Sequence, residues 1–356
     1  MISVDDLKNK KLIGPILVCI GAFFWATDFP VRSNLVSIFG NTLNDAIQLA
    51  MFEHVIAIIL FLIILILYSV VKPNTKEELD FKKFLTLTKL EFFSLLWIGI
   101  CGSALGIVFF NLAFGQAAVL QSMGIYSGYD QTLFVQKIQP VIAIGLAALL
   151  LKERLPKGFY LLSGIALIGI FFVTFGTNTY PYYSINLNNA SQLIILYAFI
   201  AAFLWGSSTV FGKILVMKLG HTMTTFGRYV VGGMFLIMLN IGIGTNFVSG
   251  LTKVFNAFWF LLYAAAISGG LVGLYIYYFG LKWTKASIAT ICELTYPISA
   301  VVLNFLFLNQ SMYLFQWVGA IVIVVAITIM AYLNSLAPDT QIENEFRKQT
   351  NESYTV

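Results

Sequence analysis

Charged side chains are scarce in this sequence: Lys, Arg, Asp and Glu make up 10% of its 356 residues. A soluble domain of this length needs more charge to cover its surface, which excludes an ordinary water-facing globular protein. Histidine is rarer still. His54 and His221 are its two imidazoles, and they fall at different expected depths, so no nucleophile, base or metal-ligand cluster gathers at one level as an enzyme requires. The three cysteines, Cys19, Cys101 and Cys292, all lie in apolar runs and read as small hydrophobes, giving neither a disulfide scaffold nor a metal site. No G-x-x-x-x-G-K-[ST] phosphate loop occurs, which argues against a built-in ATPase. The net charge of +5 forms no long basic stripe, so nucleic acid is not an expected partner, and no cofactor is implied.

Apolar residues are what the chain has in excess. They reach 59% of the sequence, with 32 Phe and 17 Tyr, and the mean hydropathy is +0.87. They fall in runs near 12–31, 47–71, 91–113, 129–150, 158–176, 193–213, 222–241, 256–278, 286–307 and 314–333. Each run is long enough to cross roughly 30 Å of hydrocarbon as a helix. Helices satisfy their own backbone groups where lipid offers no partner, and these runs alternate too little for barrel strands. Lysines before the first run imitate a signal peptide, but the further runs favour a retained helix. The expected fold is therefore all-α and integral to a membrane, with ten transmembrane helices.

Basic residues orient that expectation. With the N-terminus inside, the cytoplasmic side collects Lys8, Lys10 and Lys11, the group from Lys72 to Lys89, then Lys152, Arg154 and Lys157. Lys213, Lys218, Lys282, Lys285, Arg347 and Lys348 join them, leaving Arg32 and Lys253 outside. So strong a positive-inside bias places both termini in the cytoplasm and the chain in the plasma membrane, or the inner membrane of a Gram-negative source.

The two halves also match in order. Trp25-Ala26-Thr27 aligns with Trp205-Gly206-Ser207, Gly102 and Gly106 with Gly269 and Gly273, and Gln139-Pro140 with Tyr296-Pro297. Halves with an odd number of spans enter the membrane from opposite sides, an inverted repeat of two five-helix halves. The organisation read here is a cytoplasmic tail 1–11, a first repeat 12–176, an extracellular connection 177–192, a second repeat 193–333 and a cytoplasmic tail 334–356.

Several of these residues resemble the EamA-like branch of the drug/metabolite transporter superfamily. They are Gly21-Ala22-Phe23-Phe24-Trp25-Ala26-Thr27 with its partner Ala202-Phe203-Leu204-Trp205-Gly206-Ser207-Ser208, and Pro140-Val141 followed by Leu149-Leu150-Leu151-Lys152-Glu153-Arg154-Leu155. The second half adds Gly280-Leu281-Lys282, Glu293 and Tyr296-Pro297, so the resemblance spans about 12–333. It implies a carrier of small organic solutes that does not hydrolyse ATP itself. The chain departs from the pattern at Asn309-Gln310, where an acidic end motif is expected, and at Asp28, Pro30 and Arg32 in the first helix.

Ionisable groups within a bilayer are costly and usually face protein or a watery cavity. Lys137 lies near mid-membrane in the fourth span. Asp130, seven residues earlier, falls on the same helix face about 10 Å away. The pair could grip a zwitterion, or Lys137 could be neutralised by a carboxylate from another helix. Glu293 sits at comparable depth in the ninth span, where proton coupling, a static ion pair and solute binding all remain open. Asp28, His54 and Arg228 are further candidates, His54 as a titrating or simply hydrogen-bonded side chain. Tyr275, Tyr278 and Tyr296 are expected to line a cavity, with Tyr277 pointing elsewhere. Pro140 and Pro297 interrupt the fourth and ninth helices, either to open a solute path or to improve packing. The expected function is secondary active transport of a small polar metabolite, such as an amino acid, by alternating access with protons as a candidate coupling ion. A channel or a membrane scaffold is the competing class. The lipid bilayer, a small-molecule solute and a second copy of the chain are the partners considered.

Overall fold

Without water to hydrogen-bond, an apolar chain pairs its amides locally, and helix is the local answer. In the computed structural model every regular element among the described residues is helical. These residues are 4–71, 80–123, 128–153, 155, 157–175, 189–245, 247–267, 270–308 and 314–336. The helices are α1 (Val4–Ala26), α2 (Asp28–Phe39), α3 (Leu43–Val71), α4 (Lys89–Leu96), α5 (Gly106–Ser122), α6 (Gly128–Gln136) and α7 (Gln139–Leu150). They continue with α8 (Lys157–Phe175), α9 (Asn189–Ile243), α10 (Phe247–Ala266), α11 (Leu271–Trp283), α12 (Ala286–Cys292), α13 (Thr295–Leu308) and α14 (Leu314–Leu336). A π-helical segment, Trp97–Leu105, joins α4 to α5.

The expectation of ten transmembrane helices, arranged as an inverted repeat of two five-helix halves, needs correction. Among the described residues, five helical runs are long and apolar enough to cross a membrane: Asn9–Phe39, Leu43–Leu67, Lys89–Ser122, Gln192–Ile243 and Phe247–Trp283. Hydropathy counted apolar stretches, whereas the chain joins and divides them. The runs expected at 193–213 and 222–241 lie within α9, where Gly220 alone departs from helix, at φ 76°. Those expected at 129–150 and 286–307 are each split into two short helices, α6/α7 and α12/α13. Those near 158–176 and 314–333 provide shorter apolar helices. The stretch 177–188, the tail from 337 and the side chain of Asp130 lie outside the described residues.

Three packing features position the site. First, α1 and α11 approach backbone to backbone: a Cβ on Gly21 would lie 2.9 Å from the Gly273 carbonyl, and one on Gly280 would lie 2.6 Å from that of Gly14. Small residues permit this contact where lipid supplies no hydrophobic drive. Second, α9 packs along the π-helical segment. Glycine again makes room, since a Cβ on Gly102 would sit 2.0 Å from the Ser208 hydroxyl. Third, side chains from afar hold the turn between α11 and α12. The Lys213 ammonium donates to the carbonyls of Leu281, Lys282 and Thr284, each at 2.9 Å. The Glu153 carboxylate accepts from the amides of Ala286 (2.8 Å) and Ser287 (3.0 Å) and from the Ser287 hydroxyl. Where α2 meets α3, Lys253 donates to the Phe39 carbonyl at 2.5 Å and to Asp45 at 2.6 Å.

Candidate functional site

Two helix breaks face each other. α6 stops at Gln136 and α7 begins at Gln139, while α12 stops at Cys292 and α13 begins at Thr295. Pro140 and Pro297 stand in the first turns of α7 and α13. Proline is accommodated there because a first-turn amide has no helical acceptor. A hydrogen bond from the Gln139 side chain to the Glu293 carboxylate joins the two breaks.

Around them lies a partly open cavity of about 1130 Å³, including its mouth. Trp25, Phe110, Trp205, Tyr277 and Tyr296 give it aromatic walls. Its ionisable lining is balanced: Asp28, Glu53 and Glu293 face Arg32, Lys137 and Arg228, with His54 between. All but Arg228 of these seven are buried.

The charges fall into three groups. Arg32, 1% exposed, donates through Nε and Nη2 to Asp28 at 2.8 and 3.1 Å. Its Nη1 donates to Glu53 and, at 3.1 Å, to Asn111. One guanidinium thus serves two carboxylates, with planar fork geometry that suits such pairing. Glu293 accepts from the hydroxyls of Tyr277 (2.7 Å) and Thr209 (3.3 Å) as well as from Gln139. Arg228 donates to the Tyr278 hydroxyl and to the Gly102 carbonyl, both at 2.9 Å. Trp205 Nε1 also donates to that carbonyl, at 2.9 Å, so the π-helical turn offers α9 an acceptor from its own backbone. Such turns are frequent at functional sites.

Lys137 is different. Its ammonium lies 4.4 Å from the centre of the Tyr296 ring, and no described carboxylate comes within ion-pair distance. His54 is fully engaged, Nδ1 with the Ala50 carbonyl and Nε2 with the Ser103 hydroxyl, both at 2.8 Å.

The cavity therefore brings together Lys137, Glu293, Asp28, His54, Arg228 and Tyr296. Tyr278 is wholly buried behind Arg228. Tyr275 instead meets His221, at 2.9 Å between Nε2 and the hydroxyl. Sequence reasoning missed Tyr277, Gln136, Gln139, Arg32 and Glu53 as members of this one site. A signal existed for Tyr277: Gly273, Tyr277 and Gly280 share a helix face at spacings of four and three, the face that meets α1. A signal existed for Arg32 as well, four residues after Asp28.

Comparison with known proteins gives the arrangement a family. The riboflavin transporter ImpX of Fusobacterium nucleatum subsp. nucleatum is 30% identical over 333 residues, covering 92% of this chain and all of that protein. A crystal structure of a further protein shares the fold at a TM-score of 0.62 and 12% identity, covering 90% of this chain and 97% of that one. The model of the EamA-like transporter family matches residues 12–175 and 192–332. Spanning nearly the whole chain and enclosing the charged cavity, that match places this protein in the EamA-like transporter family, as a multi-pass membrane transporter of small solutes rather than an enzyme.

Proposed function

We propose that this chain carries riboflavin or a closely similar neutral heteroaromatic solute by alternating access around the central cavity. The balance of formal charge in that cavity carries the reading, three carboxylates against three cations. A charged solute would leave a buried imbalance there; a neutral one does not. The aromatic walls supply flat faces for a fused ring, and ligand pockets combine such walls with a few convergent polar groups. The name of the riboflavin transporter that is 30% identical supports the choice among neutral solutes. Paired broken helices beside the cavity are the form that substrate sites take in many secondary carriers.

A second reading, an amino acid gripped at both ends, is favoured by Lys137 and Glu293 bordering the same cavity. Uptake of labelled riboflavin into proteoliposomes separates the two. Saturable uptake, competed by unlabelled riboflavin and not by amino acids or by the phosphorylated flavin, supports the proposal. Uptake of amino acids with none of riboflavin overturns it. Repeating the assay with an imposed proton gradient tests coupling.

A further inference from the structure

Several hydrogen-bond donors on the cavity's lining have no acceptor among the described residues. The carboxylates are engaged, Asp28 and Glu53 by Arg32 and Glu293 by Tyr277, Thr209 and Gln139. On the side of the α6/α7 break, Gln136 is 3% exposed and its amide nitrogen has no acceptor within the described protein. Beside it the Lys137 ammonium rests on an aromatic face in place of a carboxylate. On the α9 side the Ser208 hydroxyl and Arg228 Nε are likewise without partners. A buried donor left unpaired costs about 1–3 kcal/mol, and native proteins keep few of them. Gln136 Nε2, the Lys137 ammonium and Arg228 Nε, all on the lining of one cavity, therefore call for acceptors on its ligand.

A flavin has such an edge. Its pyrimidinedione ring presents two carbonyl oxygens and ring nitrogen lone pairs against a single N–H. Resting on the riboflavin reading above, we infer that Gln136 and Lys137 form a subsite that reads this dione edge by donating to its carbonyl oxygens. The break between α6 and α7 is what makes the subsite. Both residues stand at that break, Gln136 closing α6 and Lys137 in the turn, and both line the cavity. Gln136 is thus a specificity residue, selecting for the dione and indifferent to the sugar-alcohol chain.

Purified full-length protein titrated with riboflavin and with lumiflavin, the same ring system without the polyol chain, tests this. Gln136→Leu should weaken both flavins by the same factor, about tenfold, equivalent to about 1.4 kcal/mol. It should also diminish the shift in the near-ultraviolet flavin band that hydrogen bonding to the ring carbonyls produces. The unliganded variant should melt at or above the wild-type temperature, because an unpaired buried donor has been removed. Wild-type affinity for lumiflavin in Gln136→Leu, or a lower melting temperature without ligand, overturns the inference while leaving the riboflavin reading standing. No flavin binding by the wild type overturns both. If the variant does not fold, the ligand is changed instead. The wild type should bind 2-thio- or 4-thiolumiflavin about tenfold more weakly than lumiflavin, sulfur being the poorer acceptor, and equal affinity for both overturns the inference.

Discussion

Replacing Lys137 by Met separates a solute-binding ammonium from a structural one. The described protein contact of that ammonium is the Tyr296 ring at 4.4 Å, and cation–π contact contributes about 0.5–2 kcal/mol. Methionine keeps the aliphatic stem and gains a sulfur–aromatic contact of about 0.3–1.5 kcal/mol. The net loss of stability should stay under about 1 kcal/mol. Stranding a buried carboxylate would cost about 3–5 kcal/mol, but Glu293 retains Tyr277, Thr209 and Gln139 as donors. Melting in detergent should therefore fall by no more than about 2–4 °C. Transport should suffer far more. If the ammonium meets solute during the cycle, kcat/KM for uptake into proteoliposomes should drop at least tenfold, about 1.4 kcal/mol. Lys137→Arg should not restore it fully, because a guanidinium differs in reach and hydration. Wild-type melting together with unchanged flux in Lys137→Met would refute the reasoning. A large loss of stability would refute the part that assigns Lys137 no essential carboxylate partner.

Arg32→Leu should prevent accumulation of folded protein, since it strands Asp28 and Glu53 at a cost of about 3–5 kcal/mol; adding Glu53→Gln should recover part of the lost abundance, measured by fluorescence-detected gel filtration. Tyr277→Phe removes a 2.7 Å donor from Glu293, worth about 1.5–3 kcal/mol for a charged acceptor, and should lower both melting temperature and uptake; no change in either would detach Glu293 from the site. Gly220→Ala meets no atom within 4 Å but forces alanine to φ 76°, in a region reserved for glycine that costs about 1–3 kcal/mol. Unchanged melting would mean that the backbone at Gly220 readily adopts another conformation.

Helical character and membrane residence were plain in the sequence because apolar run length is a direct measure of what lipid demands. The division of those runs was not. Gly220 looks like any glycine in an apolar stretch, and the breaks at Lys137–Ile138 and Glu293–Leu294 lie just ahead of Pro140 and Pro297 rather than at them. The prolines pointed to the interruptions because proline is welcome in a helix's first turn. Several charged residues of the cavity were visible through their cost, since Lys137, Glu293, Asp28 and Arg228 are expensive in lipid. Which charge meets which was not visible. Asp28 and Arg32 are close in sequence, but Glu53 reaches the same guanidinium from α3, and Glu293 meets Gln139 across 154 positions. Such pairings depend on tertiary packing, to which spacing along one helix is blind. The choice of Tyr275 with Tyr278 failed for a related reason: Tyr277 shares its face with Gly273 and Gly280, and those glycines determine which side of α11 meets α1.

The corner between α11 and α12 has a mechanical consequence. A helix carries partial negative charge at its C-terminal end and partial positive charge at its N-terminal end. Lys213 sits on the first kind of end and Glu153 on the second, so full charges of opposite sign, brought from α9 and from beyond α7, neutralise one backbone turn. The corner thereby ties α12, whose C-terminal end is followed by Glu293, both to α9 and to the segment after α7. One of the cavity's carboxylates stands at the far end of an element anchored by charge to two others.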